Sequence, residues 1–90
     1  MPSKQVMIRN ELGLHARAAT RLVECANRFQ REVWLSSTNR RVNGKSILAL
    51  LTLAAGPGMK VEIETRGADD REALNALFDL IDGGFGEPET

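Results

Sequence analysis

Apolar and polar positions along the chain switch between two periods, and the switches mark the elements. Over residues 5–9, Val6 and Ile8 fall on one side and Met7 and Arg9 on the other, the period of a strand. Asn10-Glu11-Leu12-Gly13-Leu14 breaks that pattern. From Ala16 to about Phe29, Ala19, Leu22, Val23, Ala26 and Phe29 recur at helical spacing, with Arg17, Arg21, Glu24 and Arg28 filling the other side. Residues 32–36 predict a second strand with Val33 and Leu35 inward. Ser37-Thr38-Asn39 is turn material, and Arg40-Arg41-Val42 predicts a short third strand.

Asn43-Gly44 alone would suggest a hairpin. Residues 46–55, however, have no period of two and are rich in Leu and Ala. They predict a short helix with Ser46 as N-cap and with Leu50, Leu53 and Ala54 inward. Gly56-Pro57-Gly58 stops it, because proline cannot continue a helix. Residues 59–66 alternate cleanly, Met59, Val61, Ile63 and Thr65 against Lys60, Glu62, Glu64 and Arg66. Asp69 with Glu72 predicts a capping box for a last helix whose stripe is Leu74, Leu77, Phe78 and Ile81. Gly83-Gly84 ends it, and residues 83–90 are expected to form a loose tail.

The order is therefore β-α-β-β-α-β-α, with one apolar face per strand and one apolar stripe per helix. That predicts an α+β fold: a mostly antiparallel sheet, all helices on one face and the other face wet. Lys60, Glu62 and Glu64 suit the wet face, and Trp34 falls there as a covering contact. Cys25 falls on the first helix as a small buried hydrophobe.

Ninety residues accommodate one domain, 1–90, with a lean core. Lys+Arg 12 and Asp+Glu 12 cancel, so net charge draws the chain neither to nucleic acid nor to anionic membrane. A single cysteine cannot close an intramolecular disulfide, which suits a reducing compartment. Met1-Pro2-Ser3-Lys4 leads directly into strand residues and not into a leader's apolar region. No apolar run approaches the roughly 20 residues that span a bilayer. The expectation is a cytoplasmic chain without membrane insertion.

The chemistry concentrates at two helix starts. The only histidine stands in Gly13-Leu14-His15-Ala16-Arg17, just ahead of the first helix. The unpaired N–H groups of a helix's first turn favour anions. Arg17 adds a fixed positive charge whose planar fork matches phosphate oxygens. Imidazole titrates near neutrality, so much of it is nucleophilic at neutral pH. A nucleophile and a phosphate cradle thus coincide. A lone histidine at a helix start is more often a polar cap, and Arg17 by itself more often a solvated helix residue. No second histidine or cysteine completes a metal site.

The second start is Asn43-Gly44-Lys45-Ser46-Ile47-Leu48. Ser46 is an N-cap by position. As a phosphorylation site it would bring negative charge to a favourable dipole end and could repel a partner without unfolding anything. Its helix carries Ile47, Leu48, Leu50, Leu51 and Leu53, too many apolar residues for one buried stripe. Ile47, Leu48 and Leu51 are left on the outer side, beside His15, as a protein-docking patch. No Gly-rich nucleotide loop of the Walker type is present, and no cofactor is implied.

Taken together, Gly13-Leu14-His15-Ala16-Arg17 and Asn43-Gly44-Lys45-Ser46-Ile47 resemble the HPr family of phosphocarriers of the phosphoenolpyruvate-dependent phosphotransferase system. The likeness runs from about Gln5 to Ile81. It implies an open-faced β-sandwich, a four-stranded antiparallel sheet with three helices on one face. It implies that phosphorylated enzyme I places a phosphoryl group on Nδ1 of His15, that Arg17 stabilises it, and that an enzyme IIA protein accepts it. The family's regulatory serine falls on Ser46, the substrate of an HPr kinase/phosphorylase. Its docking surface falls on Ala16, Thr20, Ile47, Leu48 and Leu51. A member of this family is a carrier and not an enzyme with its own turnover. Ala18 stands where sugar-type members have proline. His-Ala-Arg-Ala is more typical of the nitrogen-type branch, NPr, so sugar uptake and nitrogen-type regulation both stay open. Pro at an early helix position mainly pre-sets φ, so Ala18 leaves phosphorylation intact.

Two rival readings differ in what they require. A regulatory binding module acting through Ser46 and the Ile47/Leu48/Leu51 patch needs no His15. A ferredoxin-like domain for small ligands or RNA needs stacking aromatics on its open sheet. With no Tyr, three Phe and one Trp, the chain supplies few.

Overall fold

The computed structural model describes residues 2–29, 32–37, 40–53, 55–67 and 70–86. Its elements follow the expected order: β1 (Ser3–Met7), α1 (Ala16–Ala26), β2 (Glu32–Ser37), β3 (Arg40–Asn43), α2 (Ile47–Leu53), β4 (Lys60–Arg66) and α3 (Asp70–Asp82). A short 3-10 turn, Gly84–Gly86, follows. The four strands form one sheet in the order β1-β4-β2-β3, antiparallel throughout.

Register follows from the alternation of side chains. Val6 pairs with Val61, and Leu35 pairs with both Ile63 and Val42, so these inward apolar positions meet one another, while Val33 meets the buried Thr65. These side chains, with Val33 and Ile8, are buried on the side that carries the helices. α3 lies over β1 and β4, α2 lies against β3 and β2, and α1 packs on both α2 and α3. Ala18, Ala19, Leu22, Val23 and Ala26 form the buried stripe of α1. The opposite face of the sheet is polar. There Arg41 stacks 4.6 Å over the Trp34 ring and pairs with Glu64 at 3.4 Å, which gives Trp34 its cover.

Several boundaries differ from the sequence reading. β1 begins at Ser3, and Ile8, though past the strand, is buried and bonded to the loop before β4 through its N–H to Met59 and its carbonyl to Gly58. α1 stops at Ala26, because Asn27, Arg28 and Phe29 close the helix with tightening turns. Phe29 is consequently only half-buried. Met59 was expected inward but lies ahead of β4 and is exposed, with its sulfur accepting the Gly56 N–H. Cys25 is half-buried at the core's edge.

The largest correction is at the end of α3. Phe85 was expected in a loose tail, yet it is 1% exposed and belongs to the hydrophobic core. Flanking glycines at φ 69° and 73° let the chain turn sharply enough to return an aromatic ring inward. The turn Thr38-Asn39, the inward Ala54, the Asp69 cap and residues 87–90 lie outside the described residues. None of the described helices is long and apolar enough to cross a membrane.

Candidate functional site at the start of α1

His15 is the N-cap of α1. Its backbone is extended (φ −90°, ψ −178°), its carbonyl accepts the first intrahelical bond from Ala19 at 2.8 Å, and Nδ1 accepts the Arg17 backbone N–H at 3.2 Å. Caps are normally oxygen-bearing side chains; here an imidazole nitrogen takes that place. The bond also distinguishes the two ring nitrogens. Nδ1 presents its lone pair toward the helix start, so in the neutral ring the proton sits on Nε2. The lone pair is therefore on the nitrogen that faces the helix's positive end.

No acidic residue occupies the first turn of α1. Ala16 and Arg17 are exposed beside a half-exposed His15. The first turn thus offers N–H donors and one guanidinium with no carboxylate of its own to neutralise them. Thr20, one turn on, spends its hydroxyl on the Ala16 carbonyl at 2.8 Å. Among the described residues no group of histidines, cysteines and carboxylates could hold a metal ion.

The loop before His15 is tightly specified. Gly13 has φ 65°, and a Cβ there would come within 2.6 Å of the Ala55 carbonyl oxygen and 2.9 Å of Gly56 Cα. Only glycine satisfies both demands. Leu14, itself buried, donates its N–H to Ala55 at 2.8 Å, so the loop is seated on the segment that leaves α2. This contact joins His15 to the second helix. At the far end of α2, Ser46 caps as expected, its hydroxyl oxygen accepting the Ala49 N–H at 3.2 Å. Ser46 is half-buried. Lys45 donates from Nζ to the Phe29 carbonyl at 2.6 Å and so fastens the start of α2 to the end of α1. Gly44 presses on Val33 too closely to admit a Cβ.

The apolar patch divides. Leu48 is 77% exposed and Ile47 is exposed, whereas Leu51 is half-buried against the core. Leu12, 71% exposed and three residues before His15, is a further outward apolar side chain. Sequence periodicity could not find it, because it sits in a loop; its only signal is an apolar residue between Glu11 and Gly13. Asn10 was missed for the same reason, although Asn three residues before Gly is a turn signature. Its Nδ2 donates to the Gly13 carbonyl at 2.7 Å. Cys25 takes no part: burial pushes its thiol up, with Arg28 pulling the other way, which makes it a poor nucleophile at neutral pH.

An open-faced sandwich whose first helix is capped by a histidine defines a class, the small phosphocarriers. Residues 2–82 match the family described as PTS HPr component phosphorylation site, and the chain belongs to the HPr family. Phosphocarrier protein HPr of Neisseria meningitidis is 51% identical over 89 residues, 99% of this chain and 100% of that protein. Its counterpart in Cupriavidus necator is 45% identical with the same coverage. The crystal structure of HPr-C-His from Thermoanaerobacter tengcongensis superposes with a TM-score of 0.94 at 38% identity, covering 99% of this chain and 100% of that one. This chain is a phosphocarrier of the phosphotransferase system, and not an enzyme with turnover of its own.

Proposed function

We propose that Nδ1 of His15 accepts the phosphoryl group from phosphorylated enzyme I, whose donor is phosphoenolpyruvate, and passes it to an enzyme IIA protein in the cytoplasm. The observation that carries this reading is the Nδ1 lone pair at the acid-free start of α1, 3.2 Å from the Arg17 amide nitrogen. The lone pair attacks phosphorus in line. The Nδ1–P bond forms as the donor's bond to phosphorus breaks, and the donor's leaving atom keeps the electron pair. The Arg17 N–H, no longer held by the lone pair, turns to a phosphoryl oxygen, and the Arg17 guanidinium takes another. Transfer to enzyme IIA is the same displacement with His15 as leaving group.

Ile47, Leu48, Leu51, Ala16 and Thr20 form the docking surface for both partners, which fits the small interfaces of transient exchange. Phosphorylation of Ser46 by an HPr kinase/phosphorylase regulates that docking, since charge at the start of α2 desolvates poorly beside Ile47. The test is incubation with enzyme I from the same organism and phosphoenolpyruvate, followed by intact mass. Wild type should gain one acid-labile phosphoryl group and His15→Ala none. No gain in wild type would overturn the carrier chemistry at His15, and binding through Ser46 and Leu48 would then remain as the alternative reading.

A further inference from the structure

The segment that carries His15 is held from behind by the end of α3. Arg9 Nε donates to Asp82 Oδ1 at 2.9 Å, and the next residue, Asn10, is buried against the turn that follows α3. Gly84 faces Asn10: a Cβ placed on Gly84 would lie 3.8 Å from Asn10 Cβ, so the space between the turn and the Asn10 side chain is no more than about a methyl group deep. Asn10 in turn controls one carbonyl. The Gly13 oxygen accepts Asn10 Nδ2 at 2.7 Å and the His15 N–H at 3.0 Å, while Gly13 N–H returns to the Asn10 carbonyl at 3.1 Å. The Asn10 side chain thus stands between the Gly84 turn and the Gly13 carbonyl that holds the His15 backbone.

The turn itself is built to be immobile. Gly84, Phe85 and Gly86 all have positive φ, and Phe85 at 58° is the one described non-glycine residue in that region. A bulky side chain adopts such a backbone only where its surroundings over-determine it. Two restraints do so here. The Phe85 ring is buried in the core, and the Phe85 carbonyl accepts Arg21 Nη1 from α1. Arg21 lies on the helix that His15 caps, so the turn stands beside the loop before His15 and is bonded to the helix after it.

We propose that the Gly84–Gly86 turn acts with Asn10 as a latch that sets the position of His15 for phosphoryl transfer. Asn10 and Phe85 are positioning residues: neither touches the phosphoryl group. Their effect is on how often Nδ1 stands in line with its donor, so they act on kcat, while docking rests chiefly on the exposed Ile47 and Leu48 of α2. The inference rests on His15 being the acceptor, and its test includes a readout that needs no donor.

Asn10→Asp keeps the shape of the side chain but removes the donor to the Gly13 carbonyl. Phe85→Ala removes the plug. Both are compared with wild type in the cold, where circular dichroism reports the folded fraction. Two quantities are read: the ring nitrogen and proton resonances of His15 without any partner, and kcat and KM of phosphoryl acceptance from enzyme I. The latch predicts that Asn10→Asp shifts the His15 resonances and lowers kcat roughly tenfold with KM unchanged. Phe85→Ala should do the same in its folded fraction. Unmoved His15 resonances in folded Asn10→Asp, with kcat as in wild type, would overturn the latch and leave Phe85 a core residue only. Shifted resonances with no phosphoryl uptake in wild type would instead place the failure in the carrier chemistry.

Discussion

α1 and α3 begin in opposite electrostatic states. The first turn of α3 contains Asp70 and Glu72, which answer the helix's positive end from within the chain. The first turn of α1 contains no acid, carries Arg17, and is capped by an imidazole. By the helix dipole alone, α1 is the less well-stabilised start. The first turn of α3 is also braced from β4 by the Thr65 hydroxyl, which donates to the Asp70 carbonyl at 2.7 Å. The difference teaches where this fold keeps its chemistry. A helix start whose first turn carries a cation and no acid is suited to receiving an anion.

The sharpest way to break that arrangement is to move the cap. Gly13→Ala forces a Cβ into two backbone groups at a positive φ, so neither neighbour can give way cheaply. It should destabilise the domain by more than about 2 kcal/mol in urea unfolding and remove most phosphoryl acceptance. Ala16→Glu sharpens the comparison by making α1 resemble α3. Stability should rise by about 0.3–1 kcal/mol, since the acid meets the helix's positive end. Phosphoryl acceptance should fall roughly tenfold, the effect of about 1.4 kcal/mol of repulsion. Stability and transfer moving together would contradict the reading of α1 as an anion site.

Ser46→Ala tests the third helix start. Loss of the bond from Ala49 N–H should cost about 1 kcal/mol, with acceptance at His15 unchanged. The smallest effect is expected on the polar sheet face. Arg41→Ala removes an exposed ion pair and a stacking contact and should change stability by less than about 1 kcal/mol, leaving acceptance as it was.

How much of this was legible in the sequence varies with the physics involved. Elements whose side chains divide cleanly into two faces announced themselves: Val61, Ile63 and Thr65 in β4, or Leu74, Leu77 and Ile81 in α3. Caps were legible where a small polar residue precedes an apolar run, as at Ser46. His15 was placed at a helix start by position, and its Nδ1 bond to Arg17 could not be read because a ring rotation has no periodic signature. The misreadings fell where the chain is short and its geometry depends on distant contacts. Gly83-Gly84 signals an end to α3, but nothing local says that the chain then turns back and buries Phe85. Asn10 and Leu12 were opaque for a similar reason: a loop's side chains take their directions from what the loop rests upon.

The most direct test of the account uses the fact that the chain has one histidine. With nitrogen-15 in the imidazole, the phosphorylated protein should show coupling to phosphorus at Nδ1, and the Arg17 amide proton should shift as its bond to the ring is lost. Phosphorus coupled to Nε2, or an unmoved Arg17 amide, would contradict the claim that the lone pair facing the start of α1 receives the phosphoryl group.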